Sequence, residues 1–475
     1  MTTRQEGEAV DRDAPADLTA ADLLEGYARG GPTPVEALES VLARIEREDA
    51  ALNAFCAVFT DEAREQARAS AERWARGAPA GPLDGVPVAV KDVHLMRGHP
   101  TRRGSHVAGA HAPFDDESPV VARLREAGAV FTGKTTTPEI AWKGVTDSPV
   151  TGITRNPWDL SCTPGGSSGG AAAAVASGMG PMATGTDGGG SVRIPASFTG
   201  VYALKPTWGR VPHYPASAFG SLAHTGPITR TVTDAALMMD VMSRPDARDW
   251  GAMPPPAESF AVAVAAADVR GLRVAYSPAL WGIDVDPEVA RLCERAAGVF
   301  EGLGAHVELE DPPVPDCREE FHVLWYSGAA KAMEGVAEED LGRVDPGLLE
   351  IVEEGHRYSA VDYLRATAVR MSMGEAMGLF HERYDLLLSP AMPIPAFEAG
   401  REVPPGSADP RWTSWAGFSS PFNMTSQPAA SVPCGLTDGG LPVGLQIVGA
   451  RHADGRVLAA SRAYEEASPW PSLVG

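Results

Sequence analysis

The chain has 475 residues, 44% hydrophobic and 21% charged, an ordinary globular composition with ample length for a large core. Its formal net charge of −22 and pI near 4.9 argue against nucleic acid or an anionic membrane as a partner, since both need a basic footprint. No apolar run of about 18 residues appears, so no membrane-spanning helix is predicted. Five scattered cysteines, Cys56, Cys162, Cys293, Cys317 and Cys434, form no Cys-x-x-Cys pair, which speaks against a disulfide framework and a zinc site and for the reducing cytoplasm.

Residues 1–16 are acidic and polar, lack the apolar stretch of a secretory signal, and are predicted to be a disordered leader. Two helices are expected next. One runs from Thr19 to Arg29 and stops at Gly30-Gly31. The other opens on Thr33-Pro34-Val35-Glu36, a capping box with proline at the first helical position, and its Val35, Leu38, Val41, Leu42 and Ile45 recur at helical spacing. A third helix is predicted over Asp61–Arg76. The apolar run Val86–Val90 reads as a short strand delivering Lys91 at its end.

Further on, Asp116–Gly128 reads as a helix and Ala129–Gly133 as a strand. Ala171–Gly178 reads as a helix of small residues suited to close packing, and Met182–Thr186 as a strand. Strands alternating with helices imply an α/β fold. Pro245–Pro256, rich in Pro, Asp and Arg, marks a seam. Beyond it come a strand over Gly271–Tyr276, a helix over Pro287–Leu303, a strand over His306–Leu309, helices within Glu319–Arg383 and a returning strand over Tyr384–Ser389.

Three polar residues stand out against this background. Lys91 ends its strand, Ser167 lies in Gly165-Gly166-Ser167-Ser168-Gly169-Gly170, and Ser191 follows Gly188-Gly189-Gly190. Glycines permit left-handed backbone and let successive N–H groups converge on an anion, the setting an acyl-transfer nucleophile needs for its developing oxyanion. A serine also needs a base, and a neutral lysine can supply one. The Gly165–Gly170 loop lacks the Gly-Lys-Ser/Thr ending of a phosphate loop. Taken singly, Ser191 could be a helix cap and Lys91 a surface residue. Their joint occurrence favours catalysis.

These segments, together with Asn156-Pro157-Trp158-Asp159, Leu204-Lys205-Pro206-Thr207, Gly226-Pro227-Ile228-Thr229-Arg230, Gln427-Pro428-Ala429 and Leu441–Gln446, resemble the amidase signature family from the Thr19 region to about Glu465. The resemblance implies one compact α/β domain over residues 17–475, with a mixed central sheet covered by helices on both faces. It implies a signature core at about 76–245, a variable substrate-shaping segment at about 319–383 and a return to the core at 384–475.

It further implies that Ser191 is the nucleophile of an acyl-enzyme. Lys91 is the base, acting through Ser167, and the peptide before Ser167 is cis. The N–H groups of Gly188, Gly189, Gly190 and Ser191 form the oxyanion hole. Gly188 departs from the bulkier residue of many relatives, which could loosen the loop. A lysine neutral near pH 7 needs its pKa lowered by about 3 units, roughly 4 kcal/mol of differential environment, which burial in a dry pocket supplies. Asp187 and Arg193 are supporting residues, expected to pair or brace the loop. His94 is expected to line the pocket and Cys162 to be a small buried or lining residue.

No metal site and no cofactor are expected. The expected partner is a small amide substrate, with esters, anilides and carbamates open as further substrates and a homodimer left open. The rival reading is the glutamine-hydrolysing subunit of a tRNA-dependent amidotransferase. Against it stand Ile194 and Thr199, which replace a polar residue and a cysteine usual in that branch, and the segment Phe422–Pro428, which resembles stand-alone amidases. Pocket walls are expected from residues after Lys91, from Thr136–Ser148, and from Glu319–Arg383 and Arg411–Phe422. Trp142, Trp325, Tyr326, Trp412, Trp415 and Phe418 are candidates for an apolar acyl pocket.

Overall fold

The computed structural model describes residues 14–108 and 115–474. Of the expected leader, residues 1–13 lie outside this range. Ala14–Ala16 do not behave as a leader: Pro15–Asp17 form a helical turn, Ala16 is buried with its N–H on Ser40 Oγ at 3.1 Å, and Asp17 pairs with Arg44 at 2.7 Å. The expected Thr33 capping box forms and starts the helix Pro34–Leu52, and a capping box not read from the sequence, at Thr19 with Asp22, starts the helix Ala20–Arg29.

Among the described residues, eleven strands make one mixed sheet. In chain order they are β1 (Phe55–Val58), β2 (Pro87–Lys91), β3 (Val130–Thr135), β4 (Met182–Asp187), β5 (Tyr202–Lys205), β6 (His224–Thr229), β7 (Arg273–Tyr276), β8 (His306–Leu309), β9 (Leu386–Pro390), β10 (Ala429–Leu436) and β11 (Pro442–Gly449). Their order across the sheet is β1-β3-β2-β4-β6-β5-β10-β11-β9-β7-β8. Parallel pairs β3-β2-β4 on one side and β9-β7-β8 on the other flank an antiparallel centre. Residues on both sides of the Pro245–Pro256 seam, such as Val232 and Val274, share one apolar layer, so the seam divides no core.

Side chains alternate across a strand, and that period assigns the two faces. Val88, Val90, Met182, Tyr202 and Leu204 pack on one side, beneath helices Pro119–Glu126, Val232–Met242 and Asp454–Ala467. Ala89, Ala183 and Ala203 point to the other, where helix Gly169–Ala176 lies wholly buried. Small residues on both partners let helix and sheet approach closely. At Gly185, two residues past Ala183, a Cβ would stand 2.7 Å from Val192 and 3.1 Å from Ser168 Oγ. Lys91 follows Ala89 by two and shares its face. Ser167 and Ser168 precede the buried helix, and Ser191 precedes helix Arg193–Thr199 on the same side.

Candidate active site

Lys91 is fully buried at the end of β2. Its Nζ lies 2.7 Å from Ser167 Oγ, 2.9 Å from Ser168 Oγ and 2.8 Å from Thr186 Oγ1. All three partners are neutral hydroxyls. Burial drives the lysine pKa well below its ordinary value, and the negative charge of Asp187 only partly opposes this. A neutral amine has two N–H donors and one lone pair, so one hydroxyl must donate to it. Ser168 is committed elsewhere, since its hydroxyl donates to Thr186 O at 3.2 Å. The Gly166–Ser167 peptide is cis.

Asp187 and Arg193 form a closed, buried network around Ser191. The guanidinium donates through Nε to Asp187 Oδ2 at 3.0 Å and through Nη2 to Asp187 Oδ1 at 2.9 Å and Asn423 Oδ1 at 2.6 Å. Its Nη1 donates to Ser419 O at 2.9 Å and Gln446 Oε1 at 2.7 Å. All five guanidinium donors are thereby satisfied. Burial raises the Asp187 pKa, but the Arg193 charge and hydrogen bonds, with Lys205 and Asn423, more than offset it and hold the carboxylate ionised. Asp187 in turn accepts the N–H groups of Gly190 at 2.7 Å and Val192 at 3.2 Å, the two residues flanking Ser191.

That arrangement removes one N–H from the four expected as oxyanion donors. Gly190, at φ 126°, has its N–H committed to Asp187, whereas those of Gly188, Gly189 and Ser191 carry no such bond. The glycines also make room for aromatic rings. A Cβ at Gly188 would stand 2.6 Å from the Trp325 ring, and one at Gly189 would stand 2.7 Å from Phe321 and 2.8 Å from Trp412. Gly188 therefore does not leave the loop loose: Trp325 fills its space, stacked on Phe219 at 4.0 Å and donating from Nε1 to Trp142 O at 3.0 Å. Gly188→Ala is expected to cost about 1–3 kcal/mol by overpacking and to lower kcat. Adding Trp325→Ala should recover part of the loss, read as a double-mutant cycle on kcat and on the urea midpoint.

Ser167, Thr186, Gly188 and Ser191 open onto a cleft enclosing about 890 Å³ including its mouth. Val93 and His94 line it, as expected of residues after Lys91, with Ile140 and Ala141 from the 136–148 region and Trp325 and Ala332 from the variable helices. Arg411–Phe422 does not. Trp412, Trp415 and Ala416 line a separate cleft with Trp281 and Ile283, and of the six candidate aromatics only Trp325 faces the serines. The missed wall is Pro212–Phe219, an irregular Pro-, Ala- and Ser-bearing segment without periodicity. His94 is buried in the wall, and burial keeps it neutral well below its ordinary pKa, with further lowering from nearby positive charge. Cys162 lies away from the cleft, and its thiol pKa is raised by burial.

Among the described residues no cluster of three or more His, Cys, Asp or Glu side chains could hold a metal, and no helix is long and apolar enough to cross a membrane.

Comparison with known proteins gives this fold and lysine–serine cluster their class. A family model described as Amidase matches residues 36–458, and the chain belongs to that family. The chain is similar to an acylamidase of Rhodococcus erythropolis, 38% identical over 95% of this chain and 96% of the relative. It is also similar to a glutamyl-tRNA(Gln) amidotransferase subunit of Myxococcus xanthus, 37% identical over 94% of this chain and 97% of that relative. The structure matches that of a bacterial aryl acylamidase of the amidase signature family with a TM-score of 0.88 at 34% identity, covering 95% of this chain and 96% of the other. The protein is an amide-hydrolysing enzyme of the amidase signature type.

Proposed function

We propose that the protein is a stand-alone amidase that cleaves carboxylic amides through an acyl-enzyme on Ser191. The observation that carries this reading is the buried Lys91 amine, held among three hydroxyls with no carboxylate in its hydrogen-bond shell. The Ser191 hydroxyl attacks the amide carbonyl and passes its proton to Ser167 Oγ as Ser167 passes its own to Lys91 Nζ. The oxyanion meets the N–H groups of Gly188, Gly189 and Ser191. On collapse the C–N bond breaks, and the leaving nitrogen takes a proton from Ser167, which Lys91 replaces. Water then attacks the ester by the same relay, releasing the acid and freeing Ser191. Asp187 and Arg193 act by position, fixing the backbone on either side of the nucleophile.

The amidotransferase reading has the Myxococcus relative in its favour. Trp325, Phe219, Ile140 and Val93 suit an apolar group beside the scissile amide, and no carboxylate lines the cleft among the described residues to pair the α-ammonium of glutamine, which favours the acylamidase-like reading. Two measurements test the choice. A fluorophosphonate should label Ser191, and Ser191→Ala should lose the label; labelling at Cys162 would sink the assignment. Release of 4-nitroaniline from 4-nitroacetanilide should exceed ammonia release from glutamine without any added protein. Glutamine turnover appearing only with partner subunits would establish the rival.

A further inference from the structure

The cleft contains one charged side chain that the hydrolytic steps do not use. No aspartate or glutamate lines it among the described residues; Arg103 does, beside His94 and His213, both held neutral by burial. The Arg103 guanidinium makes no ion pair or hydrogen bond with any described residue. The carboxylate nearest to hand, Asp92, is already occupied: Oδ1 takes Lys134 Nζ at 3.0 Å and Oδ2 takes the Arg103 backbone N–H at 3.0 Å. Burial lowers the arginine pKa, the mark of a cation short of partners, and Asp92 only partly restores it.

The backbone holds this side chain in place at a cost. Arg103 sits at φ 54°, in the left-handed region that disfavours residues with a Cβ, and the chain is clamped there on both sides. Its N–H is fixed by Asp92, the neighbour of Lys91, and its carbonyl accepts Ile140 N–H at 2.7 Å, from a residue that also lines the cleft. Gly104 follows at φ 65°. The loop is thus tied directly to the strand end that carries the amine.

We propose that Arg103 is a specificity residue that receives a carboxylate carried by the amide substrate at an end remote from the scissile bond. This rests on the reading of the cleft as the amidase site. The carboxylate can belong to the acyl part or to the amine part, and the two sources are separable with matched compounds. On the amine side these are 4-acetamidobenzoate, 4-methylacetanilide and 4-(aminomethyl)acetanilide; on the acyl side, succinanilate, butyranilide and 4-aminobutyranilide.

The test is binding by titration calorimetry at low salt, with kcat/KM for the same compounds alongside. One arm should prefer its carboxylate over its neutral member by about tenfold or more, the fold-change of a charge-assisted hydrogen bond. Arg103→Gln should remove that ratio, chiefly through KM, and Arg103→Glu should turn it toward the cationic member, while Arg103→Lys keeps part of it. Ratios within one variant are insensitive to loss of folded protein. Equal carboxylate-to-neutral ratios in wild type and Arg103→Gln on both arms would overturn the proposal. Neutral anilides hydrolysed undiminished by Ser191→Ala would instead overturn the catalytic reading, leaving the binding result to stand on its own.

Discussion

Alanine at Lys91 is expected to lower kcat by about 10⁴-fold, close to the loss from Ser191→Ala, and to erase the acidic limb of the pH–rate profile. The working lysine is neutral, so the wild-type rate should climb as pH rises through the depressed pKa and level on the alkaline side. Ser167→Ala should fall between, with the relay cut but Ser191 and its N–H donors in place. A Lys91→Ala enzyme with near wild-type turnover and an unchanged limb would hand the base role to His94.

The same depressed pKa has a stability signature independent of turnover. Between the folded pKa and the ordinary lysine value near 10.4, the unfolded chain binds one proton more at Lys91 than the folded chain does. Stability from this group therefore rises with pH across that window, by about 1.4 kcal/mol per unit, and Lys91→Met removes the contribution. Urea titrations of both proteins at pH 7, 8 and 9 should show the difference in slope. Parallel curves would mean that the folded lysine is charged.

The second large effect belongs to the network beneath Ser191. Arg193→Met strips buried Asp187 of its guanidinium, so the carboxylate either stays charged without its partner or takes up a proton, while Ser419 O and Gln446 Oε1 lose their donor. Breaking one member of a buried pair costs about 3–5 kcal/mol. Asp187→Asn should cost a comparable amount and also slow the chemistry, because Asp187 anchors the N–H groups of Gly190 and Val192. The checks are the urea midpoint and kcat at a temperature where the variant is folded. A variant of wild-type stability would show that the network is dispensable.

The sequence was most legible where local chemistry is restrictive. The capping box at Thr33, the apolar run into Lys91 and the glycines around Ser167 and Ser191 each leave the backbone few alternatives, and those elements form where expected. Strands β5, β6 and β11 overlap segments noted for their resemblance, and β10 begins at the last residue of another, yet none was read as a strand. Gly226, Pro227 and Pro433 interrupt the expected alternation there.

Beyond Asp187, the partners of Arg193 come from Ser419, Asn423 and Gln446, more than 200 residues away, a pairing no local period encodes. Thr186 and Ser168 stood within quoted motifs, yet only the fold shows that they complete the shell of Lys91. Arg103 and the Pro212–Phe219 wall lie in irregular chain, where side-chain direction depends on tertiary contacts alone.

The alanine face of the sheet decides how this enzyme fails on heating. Lys91 belongs to a central strand, Ser167 precedes a helix seated on the strands of Ala89 and Ala183, and Ser191 precedes the next helix, which packs on the strand of Ala203. None of the three rides on a flap that could swing away while the rest endures. Separating any two requires prying a helix off the middle of the sheet, which exposes the whole alanine layer to water. Catalytic competence and global structure are therefore expected to be lost together on heating, with coincident midpoints for activity and for far-UV circular dichroism.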